Sequence, residues 1–204
     1  MKQPSRPDES ASVSSTPPIG GLDRRLPGDL TREELIARMI RVDHAGEYGA
    51  RRIYEGQLAV LGRRPDAGCD AAIIRDMAAQ EQRHLDAFER QVTQRHVRPT
   101  ALQPLWHAAG FALGAATAAL GSRAAMACTV AVEEVIDEHY ARQAQRLGTQ
   151  EPELRQMIEE FRADEQEHRD IGLEHGAEQT PGYDLLKGAV KAGSRLAIWL
   201  SERL

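Results

Sequence analysis

The chain has 204 residues, which at roughly 150 per domain allows one globular domain with a short excess. Hydrophobic residues make up 41% and charged residues 28%, so a sizeable core can form and collagen-like, fully disordered or fully membrane-embedded chains are excluded. With 26 Lys plus Arg against 31 Asp plus Glu, a formal net charge of -5 and only 4% aromatics, the chain offers neither a basic field nor a stacking platform, and no nucleic acid is expected as a partner.

Residues 1–29 are rich in Ser, Pro and Gly and show no hydrophobic period, the composition of a disordered tail, which leaves 30–204 as the folded domain. The start carries no charged segment followed by an apolar run, and Asp8, Glu9, Asp23 and Asp29 are too many acids for a transit peptide. A cytoplasmic location is expected. Cys69 and Cys128 have no second Cys or His at zinc-site or CxxC spacing and read as buried free thiols.

Thr31 and Glu34 form a capping-box pattern ahead of an apolar stripe at Leu35, Ile36, Met39 and Ile40, which predicts a first helix from Thr31 to Leu61. After the turn cluster Gly62 to Gly68, the apolar residues Ala72, Ile73, Ala79, Leu85, Phe88 and Val92 predict a second helix, stopped by Pro99 and Pro104. The 24 residues from Pro99 to Ser122 contain no Asp, Glu, Lys or Arg, and they are expected to run directly into a long third helix ending near Leu147. Gly148, Thr149 and Pro152 mark a turn, and Leu154, Met157, Ile158, Phe161 and Ile171 give a fourth helix its buried side. Past Pro181 and Gly182, a last amphipathic helix runs from about Tyr183 to Leu204. No stretch reads as a strand. The predicted class is all-α: two long helical hairpins joined by an apolar connection, plus a C-terminal amphipathic helix.

Glu81-Gln82-Arg83-His84 and Glu165-Gln166-Glu167-His168 are both Glu-x-x-His. Residues three apart share a helix face, so each motif can aim a carboxylate and an imidazole at one point. A single match is ordinary on a solvated helix, but two in corresponding places invite a geometric test. In an antiparallel hairpin, residues equidistant from the turn lie side by side. Reflecting Glu81 through the first turn lands on Glu47, and reflecting Glu165 through the second lands on Glu133. The halves also repeat, since Glu47 is followed by Tyr54 and Gln57 as Glu133 is by Tyr140 and Gln143, which favours Glu133 over Glu134. A Glu from each of two helices and a Glu-x-x-His from each of two others is the ligand set of di-iron and di-manganese carboxylate bundles. Such a set suits a pair of divalent first-row metals; the bland alternative is six surface charges on symmetric helices. His44 lies near the same face, as a support for the ligands or a structural histidine. His139 and Tyr140 lie a turn or two beyond Glu133, as a proton relay, an entrance lining or a satisfied polar pair. His96, His107 and His175 have no identifiable partner.

The uncharged segment matches a membrane span in length, but its Ala and Gly content, its prolines and its continuation into a ligand-bearing helix disfavour spanning. In the last helix, Lys187, Lys191 and Arg195 flank the apolar face with Trp199 near the end. That pattern suits a helix lying on an anionic membrane surface, or equally a fifth helix packed on the bundle. Together the two apolar segments favour a lipid-soluble substrate reaching the metals from the bilayer.

The sequence resembles the demethoxyubiquinone hydroxylase family of ubiquinone biosynthesis over Ile40 to Leu204. The residues that carry the resemblance are Ile40-Arg41-Val42-Asp43-His44-Ala45-Gly46-Glu47-Tyr48-Gly49-Ala50, Arg98-Pro99-Thr100, Ala127-Cys128-Thr129-Val130-Ala131-Val132-Glu133-Glu134 and the closing Ser201-Glu202-Arg203-Leu204. The resemblance implies a ferritin-like bundle with two iron ions on Glu47, Glu81, His84, Glu133, Glu165 and His168. It also implies O2-dependent hydroxylation of the ring of a polyprenylated demethoxyubiquinol, the step before the final O-methylation. His139 and Tyr140 resemble a His-Tyr pair near the family's site that passes electrons or protons. No glycine-rich dinucleotide fingerprint is present, so reducing equivalents come from outside; the resemblance implies NADH as their ultimate source. It further implies other ubiquinone-pathway proteins as partners and a peripheral position on the cytoplasmic face of the cell membrane. The competing class is a ferritin-like metal-storage or peroxide-scavenging protein; a metal-free structural bundle is a third.

Overall fold

A computed structural model describes residues 28–204. The tail expected over 1–29 lies outside the described residues except for its last two positions. Among the described residues there are six α-helices, two 3-10 turns and no strand, as the hydrophobic periodicity requires. Helix α1 (Arg32–Leu61) starts on the capping box, with Thr31 accepting from the Glu34 amide and Glu34 reaching back to the Thr31 amide at 2.6 Å. Helix α2 (Gly68–Gln94) follows a 3-10 turn at Pro65–Ala67, and α5 (Pro152–Glu174) opens with its proline in the first turn, where no amide is needed.

The expectation of one continuous helix from the uncharged segment to Leu147 is corrected. The segment forms its own helix, α3 (Gln103–Ala119), and α4 (Ser122–Leu147) begins only after Gly121. Gly121 has φ +120, a conformation closed to residues with a Cβ, so the chain breaks there and turns back. The same helix explains the Ala and Gly content. A Cβ on Gly110 would stand 2.9 Å from the Gly49 carbonyl oxygen, and one on Gly114 or Gly56 would collide with the backbone of Ile53 or Phe111. Small residues let α3 lie directly on the backbone of α1, in the same direction, as the crossover joining the hairpins α1–α2 and α4–α5.

Two apolar clusters fill the bundle ends. Leu61, Ile74, Met77, Met126 and Val130 pack at one end, and Ile40, Phe88, Leu147, Leu154 and Ile158 at the other. The middle of α1, α2, α4 and α5 is left to polar side chains. Helix α6 (Tyr183–Ser201), shorter than expected, lies on α4 and closes the bundle's flank.

The basic stripe of α6 is also corrected. Lys187 and Lys191 donate to Glu134 at 2.5 and 2.8 Å, and Arg195 donates to Glu138 at 3.0 Å. Lys187 and Lys191 face α4 and Arg195 stays exposed at its edge, while Leu185, Leu196 and Trp199 are also half exposed or more. No described helix is long and apolar enough to cross a membrane.

Candidate metal centre

Glu47 on α1, Glu81 and His84 on α2, Glu133 on α4, and Glu165 and His168 on α5 meet at mid-bundle, none of them more than 1% exposed. Their ligand atoms fall into two groups: Glu47, Glu81, His84 and Glu165, and Glu81, Glu133, Glu165 and His168, each within 4.8 Å. Glu81 and Glu165 belong to both. The positions found by reflecting the hairpins are the positions that converge.

The hydrogen bonds separate these carboxylates into two kinds. Tyr54 donates to Glu133 Oε1 at 2.8 Å and Tyr140 donates to Glu47 Oε1, so each of these carboxylates has one occupied oxygen and one, Oε2, without a partner. Both oxygens of Glu81 and both of Glu165 lack partners. Glu165 Oε1 lies 3.2 Å from His84 Nδ1 and Oε2 lies 3.3 Å from His168 Nδ1, with His84 Nδ1 also 3.5 Å from Glu47 Oε2 and His168 Nδ1 3.2 Å from Glu81 Oε1. None of these contacts has hydrogen-bond geometry. The atoms point at shared positions between them and not at one another. Two terminal carboxylates, two carboxylates free at both oxygens and one imidazole per position fit two cations, and two divalent ions neutralise four carboxylates.

The outer ring nitrogens fix the tautomers. His84 Nε2 meets Asp164 Oδ2 at 2.9 Å and His168 Nε2 meets the Gln80 side-chain oxygen at 2.7 Å. Both partners accept, so each Nε2 carries the hydrogen and each Nδ1 turns its lone pair inward. Asp164 and Gln80 are the residues preceding Glu165 and Glu81. They were legible as neighbours of the motifs but were not singled out by sequence reasoning. Tyr54 was legible too, in the repeat it shares with Tyr140.

His139 and Tyr140 part company. Tyr140 is buried and faces Glu47, whereas His139 Nε2 lies 3.1 Å from Asp43 Oδ1, which also accepts from Gln143 at 2.7 Å. Their rings are tilted with centroids 6.2 Å apart, and their hydrogen bonds go to different partners. Burial pushes the Asp43 carboxyl up against the pull of His139. His44 is buried with an unpartnered Nδ1 and belongs to neither ligand group. His107 pairs with Tyr48 and His175 with Asp70. Of the two cysteines, Cys128 is buried as expected and Cys69 is exposed, a correction that follows from its place in the first turn of α2.

Beside the centre, a cavity of about 370 Å³ lies between α1, α3, α4 and α6, lined by Gly46, Ala50, Ile53, Trp106, Leu113, Val132, Ala197 and Ile198 among others. Gly46 and Val132, which directly precede Glu47 and Glu133, line it, so it shares α1 and α4 with the centre, while none of the six ligand residues is in its wall. Its volume is that of a small-molecule site and its lining is almost wholly apolar. Trp106 donates to Ser201 at 3.1 Å between α3 and α6.

Without cations, protons compensate the buried charge. Burial lowers an imidazole's pKa, but the carboxylates of Glu165 and Glu47 outweigh it and hold His84 up at about 12; Glu165 and Glu81 likewise hold His168 up at about 11. Burial first, and Glu165 second, raise Glu81 and Glu133 well above the usual carboxylate range. Glu165 itself is held down to about 2, because the two imidazoles overcome its burial. In the metal-free fold Glu81, Glu133, His84 and His168 therefore keep protons that the unfolded chain releases between 4.5 and 6.5. The native state binds more protons, so its stability begins to fall as pH rises through that range and goes on falling toward the folded values of about 11 and about 12; Glu165 acts in the opposite sense only below it. Chelator-stripped protein is expected to lose about 5 °C or more in unfolding midpoint between about pH 5.5 and about pH 8.5, and metal-loaded protein much less. A metal-free midpoint that is flat or rises over this window contradicts the reading.

The family model described as "Ubiquinone biosynthesis protein COQ7" matches residues 34–201. The chain is 57% identical over 180 residues to the 3-demethoxyubiquinol 3-hydroxylase of Rhodospirillum rubrum, covering 88% of this chain and 84% of that protein. It is 54% identical over 173 residues to the human mitochondrial NADPH-dependent 3-demethoxyubiquinone 3-hydroxylase, covering 83% and 78%. It is also 40% identical over 185 residues to the mitochondrial 5-demethoxyubiquinone hydroxylase of Saccharomyces cerevisiae, again 83% and 78%. By the span of that match and these identities, the chain belongs to the COQ7 family of ubiquinone biosynthesis proteins.

Proposed function

We propose that the chain is a 3-demethoxyubiquinol 3-hydroxylase, an O2-dependent monooxygenase that hydroxylates the ring of a polyprenylated demethoxyubiquinol to the 3-demethylubiquinol stage. The observation that carries this reading is a buried carboxylate and histidine centre that shares α1 and α4 with an apolar cavity, in a chain whose relatives are named hydroxylases of this substrate class. In the balanced reaction one oxygen atom enters a ring C–H bond and the other leaves as water, with two electrons and two protons supplied from outside.

Glu47, Glu81, His84, Glu133, Glu165 and His168 would hold two iron ions, Glu81 and Glu165 being the residues common to both ligand groups. Iron bound there supplies the redox chemistry that activates O2, which no side chain here can provide. The protein's own residues do the rest. Tyr54 and Tyr140 each keep a proton on one oxygen of a terminal carboxylate and so orient the other oxygen inward. Phe88 and Phe161 pack over the His84 side and exclude water, Phe161 stacking on the imidazole at 4.0 Å. The cavity walls take the ring and the start of its prenyl chain by shape and apolar contact, leaving the remaining isoprenoid units outside. Tyr140 holds its proton at the terminal carboxylate of Glu47, while His139 is tied to Asp43 and Gln143 in a separate polar group on the same two helices. The reductant is external and NADH-derived. The human relative is named NADPH-dependent, which favours a nicotinamide source and leaves the choice between the two to direct assay.

We place the enzyme peripherally on the cytoplasmic face of the cell membrane. Leu105 on α3 and Leu196 and Trp199 on α6 are half exposed or more, on two of the four helices that wall the cavity. With the basic stripe turned inward, this attachment rests on apolar contact more than on anionic lipid. Pelleting with neutral phosphatidylcholine vesicles is expected, lost in a Leu196→Ser/Trp199→Ser variant of unchanged helicity; binding that needs anionic lipid, or a variant that pellets like wild type, contradicts it. A ferritin-like storage or peroxide-scavenging role has no support among the relatives and has no use for an apolar cavity.

Quinone profiling in a host lacking its own hydroxylase tests the reaction. Wild type is expected to restore ubiquinone, and Glu165→Ala to accumulate the demethoxy precursor with more than a hundredfold loss of product formation. Persistence of the precursor in cells holding folded, iron-loaded wild type and a competent reductant contradicts the proposal.

A further inference from the structure

The two halves of the centre match closely at the carboxylates and differ at the imidazoles. Each terminal carboxylate accepts from a buried tyrosine of the other hairpin, Tyr54 on Glu133 and Tyr140 on Glu47. Each Glu-x-x-His motif supplies one carboxylate with both oxygens free. The outer nitrogens break this symmetry. His84 Nε2 donates to a carboxylate, Asp164, at 2.9 Å, whereas His168 Nε2 donates to a neutral amide, Gln80, at 2.7 Å. The packing differs as well: the Phe161 ring lies flat on His84 with centroids 4.0 Å apart, while Tyr54 presents its edge to His168 at 6.3 Å.

A hydrogen bond to an ionised acceptor is roughly twice as strong as one between neutral groups. It draws the Nε2 proton outward and makes Nδ1 the better electron donor. The negative charge of Asp164, partly screened because its side chain is 39% exposed, also adds to the field on the Glu47–His84 side, and among the described residues no Lys or Arg pairs with it. Gln80 contributes a dipole only. On the reading of the site as a two-metal centre, we infer that the two positions are electronically unequal, with Asp164 a positioning residue that makes the Glu47–His84 position the tighter cation site and the one favouring the higher charge. The Glu133–His168 position is the weaker site, filled second and emptied first. A single residue type at each of two equivalent helix positions, Asp before Glu165 and Gln before Glu81, sets this order.

The test needs neither substrate nor turnover. Chelator-stripped full-length protein is titrated anaerobically with Co(II) by calorimetry. Wild type is expected to bind two equivalents in two resolved steps. Asp164→Asn should weaken the tighter step by about 10- to 100-fold, toward the second, and leave the second in place. Gln80→Asp should tighten the weaker step and merge the two from the other side, which keeps the inference testable if Asp164→Asn folds poorly. His84→Ala should remove the tighter step and His168→Ala the weaker. Two equal steps in wild type, or an Asp164→Asn effect confined to the weaker step, overturn this inference and leave the two-metal reading standing. No Co(II) uptake by folded wild type overturns both.

Discussion

Burying four carboxylates and two imidazoles at the centre of a helical bundle is the constraint from which the remainder of the structure follows. An ionised carboxylate deprived of water is so costly that it neutralises, pairs or binds a cation. Here the side chains approach within 3.2 to 3.5 Å without hydrogen-bonding one another. Ligand atoms that converge at these distances without hydrogen-bond geometry suit a pair of cations, whose place protons take when no cation is bound. The apolar clusters at the two bundle ends hold the helices together while their middles carry this charge, and the metal-free chain keeps it folded only by taking up protons.

The cavity follows from a different feature, the close approach of α3 to α1. Gly56, Gly110 and Gly114 let the two backbones touch, so the crossover lies flat along the bundle. Helix α6, pinned to α4 by Lys187, Lys191 and Arg195, then roofs the space left beside it. The apolar walls of this space come from four helices and include the residues just before Glu47 and Glu133. Aromatic rings cover the His84 side of the centre, and the cavity lies on the flank of the bundle beneath α3 and α6.

Much of this was legible in the sequence, and the reasons are specific. The ligands could be found because an antiparallel hairpin places residues equidistant from its turn side by side, and both reflections landed on glutamates within a repeated Glu, Tyr and Gln pattern. The partition of the carboxylates was hidden, since nothing in the spacing says that Tyr54 crosses to Glu133 and Tyr140 to Glu47. The break at Gly121 was missed because an apolar run carries no signal for a single positive φ between two good helix formers. The lysines of α6 were misread for a related reason: their partners, Glu134 and Glu138, lie some fifty residues away, and periodicity within one helix says nothing about which neighbour its charged edge meets. Asp164 and Gln80 stood beside the motifs, but their role appears only when α2 and α5 are seen to exchange histidine partners.

The most direct test of the central claim is anomalous diffraction at the iron edge from crystals of protein reconstituted anaerobically with Fe(II). The account predicts two iron positions per chain, one among Glu47, Glu81, His84 and Glu165 and the other among Glu81, Glu133, Glu165 and His168, with Glu81 and Glu165 between them. A single position, or iron held away from these residues, would contradict it.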